Sequence, residues 1–315
     1  MNILMCDTQY TFFLYYLLMP YEKFKETFFI FDFCFSPHIV KNLADKGFAC
    51  HQNNLYSIPL EKRAIERINN KEYLTQLIKE IYNHFNGNVC IYGQDHIDIA
   101  TILWDERIKD IPFNLLEDGM GNYVTRNSLG KDNHNCMGHN NRVNNIFLTG
   151  LWRIPNDLKR KVKIIDIRYL WENKSDIERK IFFDFYNIEQ ETLNELSQKT
   201  TCLLGNCFSN FGMMAKDKEI QVYKKIFSNF NKNTTYIKAH PTGGNIEYER
   251  EFPGVYVLRN PIPFEVLYLT IGSKLKTIAS IASTAAMIAD EDVDVQFYDY
   301  NGDRIILRYP CDDFI

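Results

Sequence analysis

At 315 residues the chain is longer than one typical domain and too short for three. Its 45% hydrophobic and 24% charged residues exclude a disordered, collagen-like or low-complexity protein. A net charge of -4, from 36 basic and 40 acidic residues, supplies no broad basic field, so nucleic acid is not an expected partner.

Short apolar stretches alternate with longer helical patterns, the beat of a parallel α/β fold. Asn2–Cys6 reads as a strand, 9–19 as a helix, 27–33 as a strand and 60–85 as a helix with apolar positions at Ile65, Ile68, Leu74, Leu77, Ile78 and Ile81. A strand at 89–92, a helix at 97–104 and a strand at Phe113–Leu116 complete a first doubly wound unit. Residues 124–145, rich in Asn, Gly and His, read as a long irregular excursion. A linker follows, with a basic run of Lys159, Arg160, Lys161 and Lys163 expected to be a solvated face rather than a membrane contact. A second α/β unit has strands predicted at 201–205, 235–239, 255–258, 276–279 and 295–298, and helices at 216–230, 263–270 and 284–289. The expected division is therefore 1–155 as a first Rossmann-like domain, 156–200 as linker and bridging helices, and 201–315 as a second Rossmann-like domain. The two are expected to face each other across a cleft.

The longest apolar run, from Phe12 to Met19, is far short of the roughly 20 residues that span a bilayer. Residues 1–10 carry Asp7 and no Lys or Arg, unlike a signal peptide, so the expected location is cytoplasmic. Eight scattered cysteines include no CxxC spacing, and the nearest approach to a metal cluster, His134, Cys136 and His139, lacks a fourth ligand nearby, so no metal is expected.

Open α/β sheets bind ligands at the carboxyl ends of their strands, and three polar clusters fall there. Glu117-Asp118-Gly119 follows a strand, with glycine allowing a sharp turn. Lys238-Ala239-His240-Pro241 closes another and presents an imidazole that can donate a proton near neutral pH. Ser280 and Ser283-Thr284 lie between a strand and a short helix, where hydroxyls and free N–H groups suit a phosphate. Each cluster taken singly is also an ordinary turn or cap.

Together, and in this order, they resemble the bacterial sialyltransferases of the GT-B type, and most closely glycosyltransferase family 52, the lipooligosaccharide sialyltransferases. The segment Leu116-Glu117-Asp118-Gly119-Met120-Gly121-Asn122, the stretch Leu203-Leu204-Gly205 with Asp217-Lys218-Glu219, and the opening Asn2-Ile3-Leu4-Met5-Cys6 carry the likeness further. The resemblance implies CMP-sialic acid as donor, a galactose-type glycan or glycolipid acceptor, inversion and no cofactor. It further implies Asp217 as the base and His240 as an imidazolium acid, with Asp118 the alternative base or an acceptor-orienting group. In the second domain Lys238, Pro241, Glu265, Ser280, Ser283 and Thr284 would bind the CMP moiety, and in the first Glu117 and Gly119 would lie on the acceptor side, where position at strand ends also puts Gln94, Asp95 and His96 and residues Thr8 to Tyr10. A donor carrying another nonulosonic acid, Kdo or glucose, or a non-catalytic nucleotide-sugar-binding protein, remains open at this stage. So do a peripheral contact with the inner membrane face and a homodimer.

Overall fold

The computed structural model describes residues 1–53, 60–129, 136–242, 244, 246–281 and 283–306. The chain divides into two units, Met1–Arg179 and a second that starts at Lys180. The first contains β1 (Asn2–Cys6), α1 (Gln9–Leu18), α2 (Tyr21–Lys25), β2 (Phe28–Phe31), α3 (Pro37–Asp45), β3 (Ala49–Gln52), α4 (Leu60–His84), β4 (Cys90–Gly93), β5 (Phe113–Leu116), β6 (Val143–Leu148), β7 (Val162–Ile164) and α5 (Ile167–Glu172). Its parallel sheet has the order β3-β2-β1-β4-β5-β6-β7, so the direction of winding reverses between β1 and β4. That reversal is where doubly wound sheets open a crevice at their carboxyl edge.

Sequence dictates this centre closely. β1 and β2 are almost wholly apolar and buried, as strands covered on both faces must be. Over them lies α1, whose Phe12 meets Phe24, Phe29, Phe31 and Phe35 edge-on at 5.6–6.0 Å between centroids. Each such pair adds roughly 0.5–1.5 kcal/mol beyond the area it buries, which anchors the start of α1 against the sheet edge. At the end of β4 only glycine fits. Gly93 has φ +143°, and a Cβ there would stand 1.7 Å from the Met5 carbonyl oxygen of β1.

Several elements escape the sequence pattern. β3 is a polar edge strand with no apolar run, and α3 before it was not expected either. β6 begins inside the supposed excursion, because Asn144 and Asn145 disguise it. Their side chains bond to β5: Phe113 N–H donates to Asn144 Oδ1 at 2.9 Å, and Asn145 Nδ2 donates to Asn114 Oδ1 at 2.7 Å. Residues 98–104 and 284–288 are 3₁₀ rather than α-helical. In α4 the expected apolar face is only half used: Leu74 and Ile78 are buried, whereas Ile65 and Ile68 are exposed.

The second unit contains most of α6 (Asp176–Phe185), then α7 (Gln190–Leu196), β8 (Thr201–Leu204), α8 (Lys216–Phe227), β9 (Thr235–Lys238), α9 (Tyr248–Glu251), β10 (Tyr256–Leu258), α10 (Phe264–Ile271), β11 (Thr277–Ser280), β12 (Asp294–Tyr298) and β13 (Arg304–Ile305). The sheet order is β10-β9-β8-β11-β12-β13, parallel except for β13. Winding reverses between β8 and β11. Both units thus show the doubly wound α/β class expected from the sequence. Among the described residues no helix is long and apolar enough to cross a membrane.

Candidate active site

In the first unit, Met5, Gly93 and Leu115 stand level across β1, β4 and β5. Three residues beyond each comes Thr8, His96 and Asp118, and these side chains meet. Thr8 Oγ1 donates to Asp118 Oδ1 at 2.7 Å, and His96 Nε2 donates to Asp118 Oδ2 at 3.0 Å. The Asp118 backbone N–H donates to the buried Asn122 Oδ1 at 2.6 Å, fixing the turn that Gly119 makes possible with φ 96°. Burial alone would lower the His96 imidazole, but its hydrogen bond to Asp118 and the nearby Asp95 carboxylate raise it to about 9. Because that value lies above the ordinary one near ~6.5, the pair contributes its full stabilisation below the ordinary pKa and loses it as pH rises through about 9. An NMR titration of the His96 ring should have its midpoint near 9, and Asp118→Asn should lower it. A wild-type midpoint at the ordinary histidine value would mean that the pair does not form in solution.

Around this pair, the other acceptor-side candidates have different jobs. Asp95 is buried and accepts the Met137 and Gly138 N–H groups, each at 2.8 Å, so it ties down the loop before β6. Gln94 accepts the Asp7 N–H at 2.6 Å, and its Nε2 is a buried donor with no partner among the described residues. Glu117, expected to face an acceptor, is instead fully enclosed. It accepts from the Thr149 hydroxyl at 2.8 Å and from Tyr123 at 3.0 Å, and burial pushes its carboxyl upward. Sequence reasoning missed Asp7, a carboxylate directly after β1. Its carboxyl is raised to about 6 by burial and by Asp32, and Oδ1 accepts the Cys34 N–H at 2.6 Å.

The second unit repeats the plan. Leu204 stands level with Lys238 on one side and Ser280 on the other, so the chain beyond all three strands runs along one edge. His240 lies half-buried there, and its Nδ1 accepts from the Thr242 hydroxyl at 2.8 Å and the Thr242 N–H at 3.3 Å, with Cys207 Sγ also 3.3 Å away. With donors facing Nδ1, the proton of a neutral ring sits on Nε2. Burial and the Lys238 charge hold this imidazole down at about 4. The expected imidazolium is thereby corrected to a neutral N–H donor in the free protein.

Lys238 itself is buried beneath the edge, with Nζ donating to the Ala239 carbonyl at 2.9 Å; burial lowers it to about 8, against the opposing pull of Cys202 and Glu265. Glu265, in the first turn of α10, therefore lies within electrostatic reach of the cluster. Pro241 makes the turn after His240. Ser280 is buried and accepts the Ser283 N–H at 2.9 Å, while Ser283 and Thr284 start the 3₁₀ turn half-buried. Asn206, unforeseen from sequence, bridges the switch by donating to the Ile281 carbonyl at 2.5 Å.

Asp217 is not brought to His240. It is exposed in the first turn of α8 with no partner among the described residues. The buried acid of that turn is Glu219, whose carboxylate accepts the Phe208 and Ser209 N–H groups at 3.2 and 2.8 Å and so shapes the loop carrying Cys207. Of the triplet weighed for a metal, His134 lies outside the described residues, and His139 is buried against Val124 O and Asp157 at 3.1 Å each. Cys311 also lies outside the described residues.

The sequence profile of glycosyltransferase family 52 matches residues 40–299. An uncharacterized protein of Haemophilus influenzae is 27% identical over 213 residues, 66% of this chain and 67% of that protein. Among solved structures, an α/β-galactoside α-2,3-sialyltransferase of Photobacterium phosphoreum superposes with a TM-score of 0.61 at 12% identity, over 95% of this chain and 90% of that one. A Photobacterium damsela sialyltransferase gives 0.55 at 14%, over 95% and 74%. A UDP-GlcNAc 2-epimerase of Methanocaldococcus jannaschii, solved with UDP-GlcNAc and UDP, gives 0.53 at 8%, over 96% and 90%. At such identities the structural likeness carries the fold alone.

Proposed function

This chain belongs to glycosyltransferase family 52 and is a glycosyltransferase, and from that premise we propose that it transfers sialic acid from CMP-sialic acid to a terminal galactose-type acceptor with inversion. The observation that carries the reading is His240, a neutral imidazole whose Nε2–H is left for a ligand at the carboxyl edge of the second sheet, beside the β8/β11 switch. The choice of sugar follows the likeness of the Glu117-Asp118-Gly119, His240-Pro241 and Ser283-Thr284 motifs to those of bacterial sialyltransferases, with which the chain shares its fold.

In this mechanism the bond between the anomeric carbon and the CMP phosphate breaks with its electron pair going to the phosphate oxygen, through an oxocarbenium-like state. Phosphate monoesters have a second pKa near ~6, so CMP can depart at neutral pH without taking a full proton. A hydrogen bond from neutral His240 is enough to stabilise the developing charge, with Ser283 and Thr284 hydroxyls as further donors. The acceptor hydroxyl attacks from the opposite face and gives its proton to Asp118. We assign that role to Asp118 over Asp217 because Asp118 is held by two donors in the first unit, whereas Asp217 is solvated and unsupported. Gln94 Nε2 is the donor that an acceptor hydroxyl would satisfy.

The test is incubation with CMP-sialic acid and lactose-terminated acceptors, with the product's mass and linkage determined. Transfer from a different nucleotide sugar and none from CMP-sialic acid would overturn the donor assignment. Activity should be the same with a chelator or added magnesium, since side-chain donors meet the phosphate charge that a divalent ion would otherwise neutralise. Loss with chelator and recovery with a divalent ion would refute that arrangement.

A further inference from the structure

The basic run leading into β7 carries more unpaired charge than the rest of the chain would suggest. Between Leu151 and Tyr169 six basic residues stand against two acidic ones, 6 - 2 = +4 in a chain whose total is -4. Two of the six have internal engagements: Lys161 Nζ donates to the Gly138 and Asn140 carbonyls, and Arg168 has a partner as well. The other four, Arg153, Lys159, Arg160 and Lys163, are exposed and have no hydrogen-bond or ion-pair partner among the described residues. Beside them two large apolar side chains face solvent, Ile164 at 57% exposure and Tyr169 at 63%. Exposed cations with no partner among the described residues, in one segment with an exposed aliphatic and an exposed tyrosine, match the chemistry of an anionic bilayer surface, where basic groups meet headgroups and tyrosine settles at the interface.

The placement adds a reason. β7 is the edge strand of the first sheet, and Leu116, Phe147 and Lys163 stand level across β5, β6 and β7. Ile164 is one residue further on and Asp118 two residues beyond Leu116, so both lie at the same carboxyl edge, two strand spacings or about 10 Å apart across the sheet. We propose that Arg153, Lys159, Arg160, Lys163, Ile164 and Tyr169 form a docking surface for an anionic lipid bilayer, which brings the Asp118 edge against acceptors carried in that membrane. The docking stands on charge and exposure alone; only its use in acceptor delivery rests on the sialyl-transfer reading.

The experiment uses the whole chain with phosphatidylcholine vesicles prepared with and without phosphatidylglycerol, read by co-sedimentation. Binding is expected only with the anionic lipid and should weaken as salt rises. The triple variant Lys159→Glu, Arg160→Glu, Lys163→Glu should lose affinity on the order of 100-fold, since each surface cation contributes roughly fivefold. Ile164→Ser with Tyr169→Ser should weaken binding while leaving the charge intact. Both variants should keep wild-type thermal midpoints and wild-type transfer to a soluble lactoside, yet lose transfer to a lactosyl lipid embedded in anionic vesicles. Equal sedimentation with both vesicle types, or wild-type affinity in the charge-reversed variant, would overturn the docking surface. So would retention on a soluble polyanion without vesicle binding. No transfer by the wild type to soluble lactoside would instead count against the sialyl-transfer reading, with the vesicle result unaffected.

Discussion

Replacing His240 with alanine is expected to lower kcat by roughly 10²–10⁴-fold, the range found for a positioned donor at a reacting group, with a smaller change in CMP affinity. The ring gives its hydrogen bond most strongly when the phosphate gains charge, so its removal falls on the transition state more than on the bound donor. A neutral donor makes a second outcome specific. Because burial and Lys238 hold the imidazole at about 4, the acid limb of the wild-type rate profile should not carry a break at the ordinary histidine pKa from this residue. A depressed value in the folded state also means that stability contributed by the neutral ring is present above the ordinary imidazole pKa and is lost as pH falls through about 4. Lys238→Met should move the His240 titration upward by removing the opposing charge. Wild-type turnover in a well-folded His240→Ala protein would return the residue to the role of a turn histidine satisfied by Thr242.

How far these groups could be foreseen depends on what each is made of. The strand ends were visible because β1, β5, β8 and β9 are short apolar runs that stop at polar residues, and the period of such runs needs no tertiary information. Asp118, His240 and Ser283 were found through that edge. The pairings were not visible. Nothing in the spacing of Thr8, His96 and Asp118 announces a cluster, because it arises only when β1, β4 and β5 are set side by side in the order of a doubly wound sheet. Cys207 and Thr242 were missed for the same reason, being gathered around one imidazole by adjacent strands. β6 was hidden because asparagines, usual markers of loops, here satisfy each other and the backbone of β5 inside the sheet. Protonation was the least legible quantity of all. The imidazoles of His96 and His240 have the same intrinsic pKa, and only their surroundings, two carboxylates in one case and burial beside a lysine in the other, drive them to about 9 and about 4.

The choice of base is decided by comparing Asp118→Asn with Asp217→Asn at saturating donor. Asparagine keeps the shape of aspartate and can still meet Thr8 and His96, but it cannot accept the acceptor's proton. With Asp118 as base, kcat should fall by roughly 10²–10⁴-fold, and the fall should be matched in kcat/KM because the lost interaction exists only as the proton moves. Release of sialic acid to water should fall less, since an oxocarbenium-like transition state depends weakly on the strength of its nucleophile. Asp217→Asn removes a carboxylate that is exposed and bonded to nothing among the described residues, so turnover should stay near wild type and stability should change by no more than about 0.5 kcal/mol, as is usual at such surface sites. His96→Gln supplies a third arm. It leaves the carboxylate in place but removes the charged partner that persists to about pH 9, so it should raise the acceptor KM and alter the alkaline limb while costing less in kcat than Asp118→Asn. A large loss of kcat in Asp217→Asn together with near-normal turnover in Asp118→Asn would reverse the assignment. The solvated carboxylate of α8 would then have to gain its partners from the bound acceptor itself.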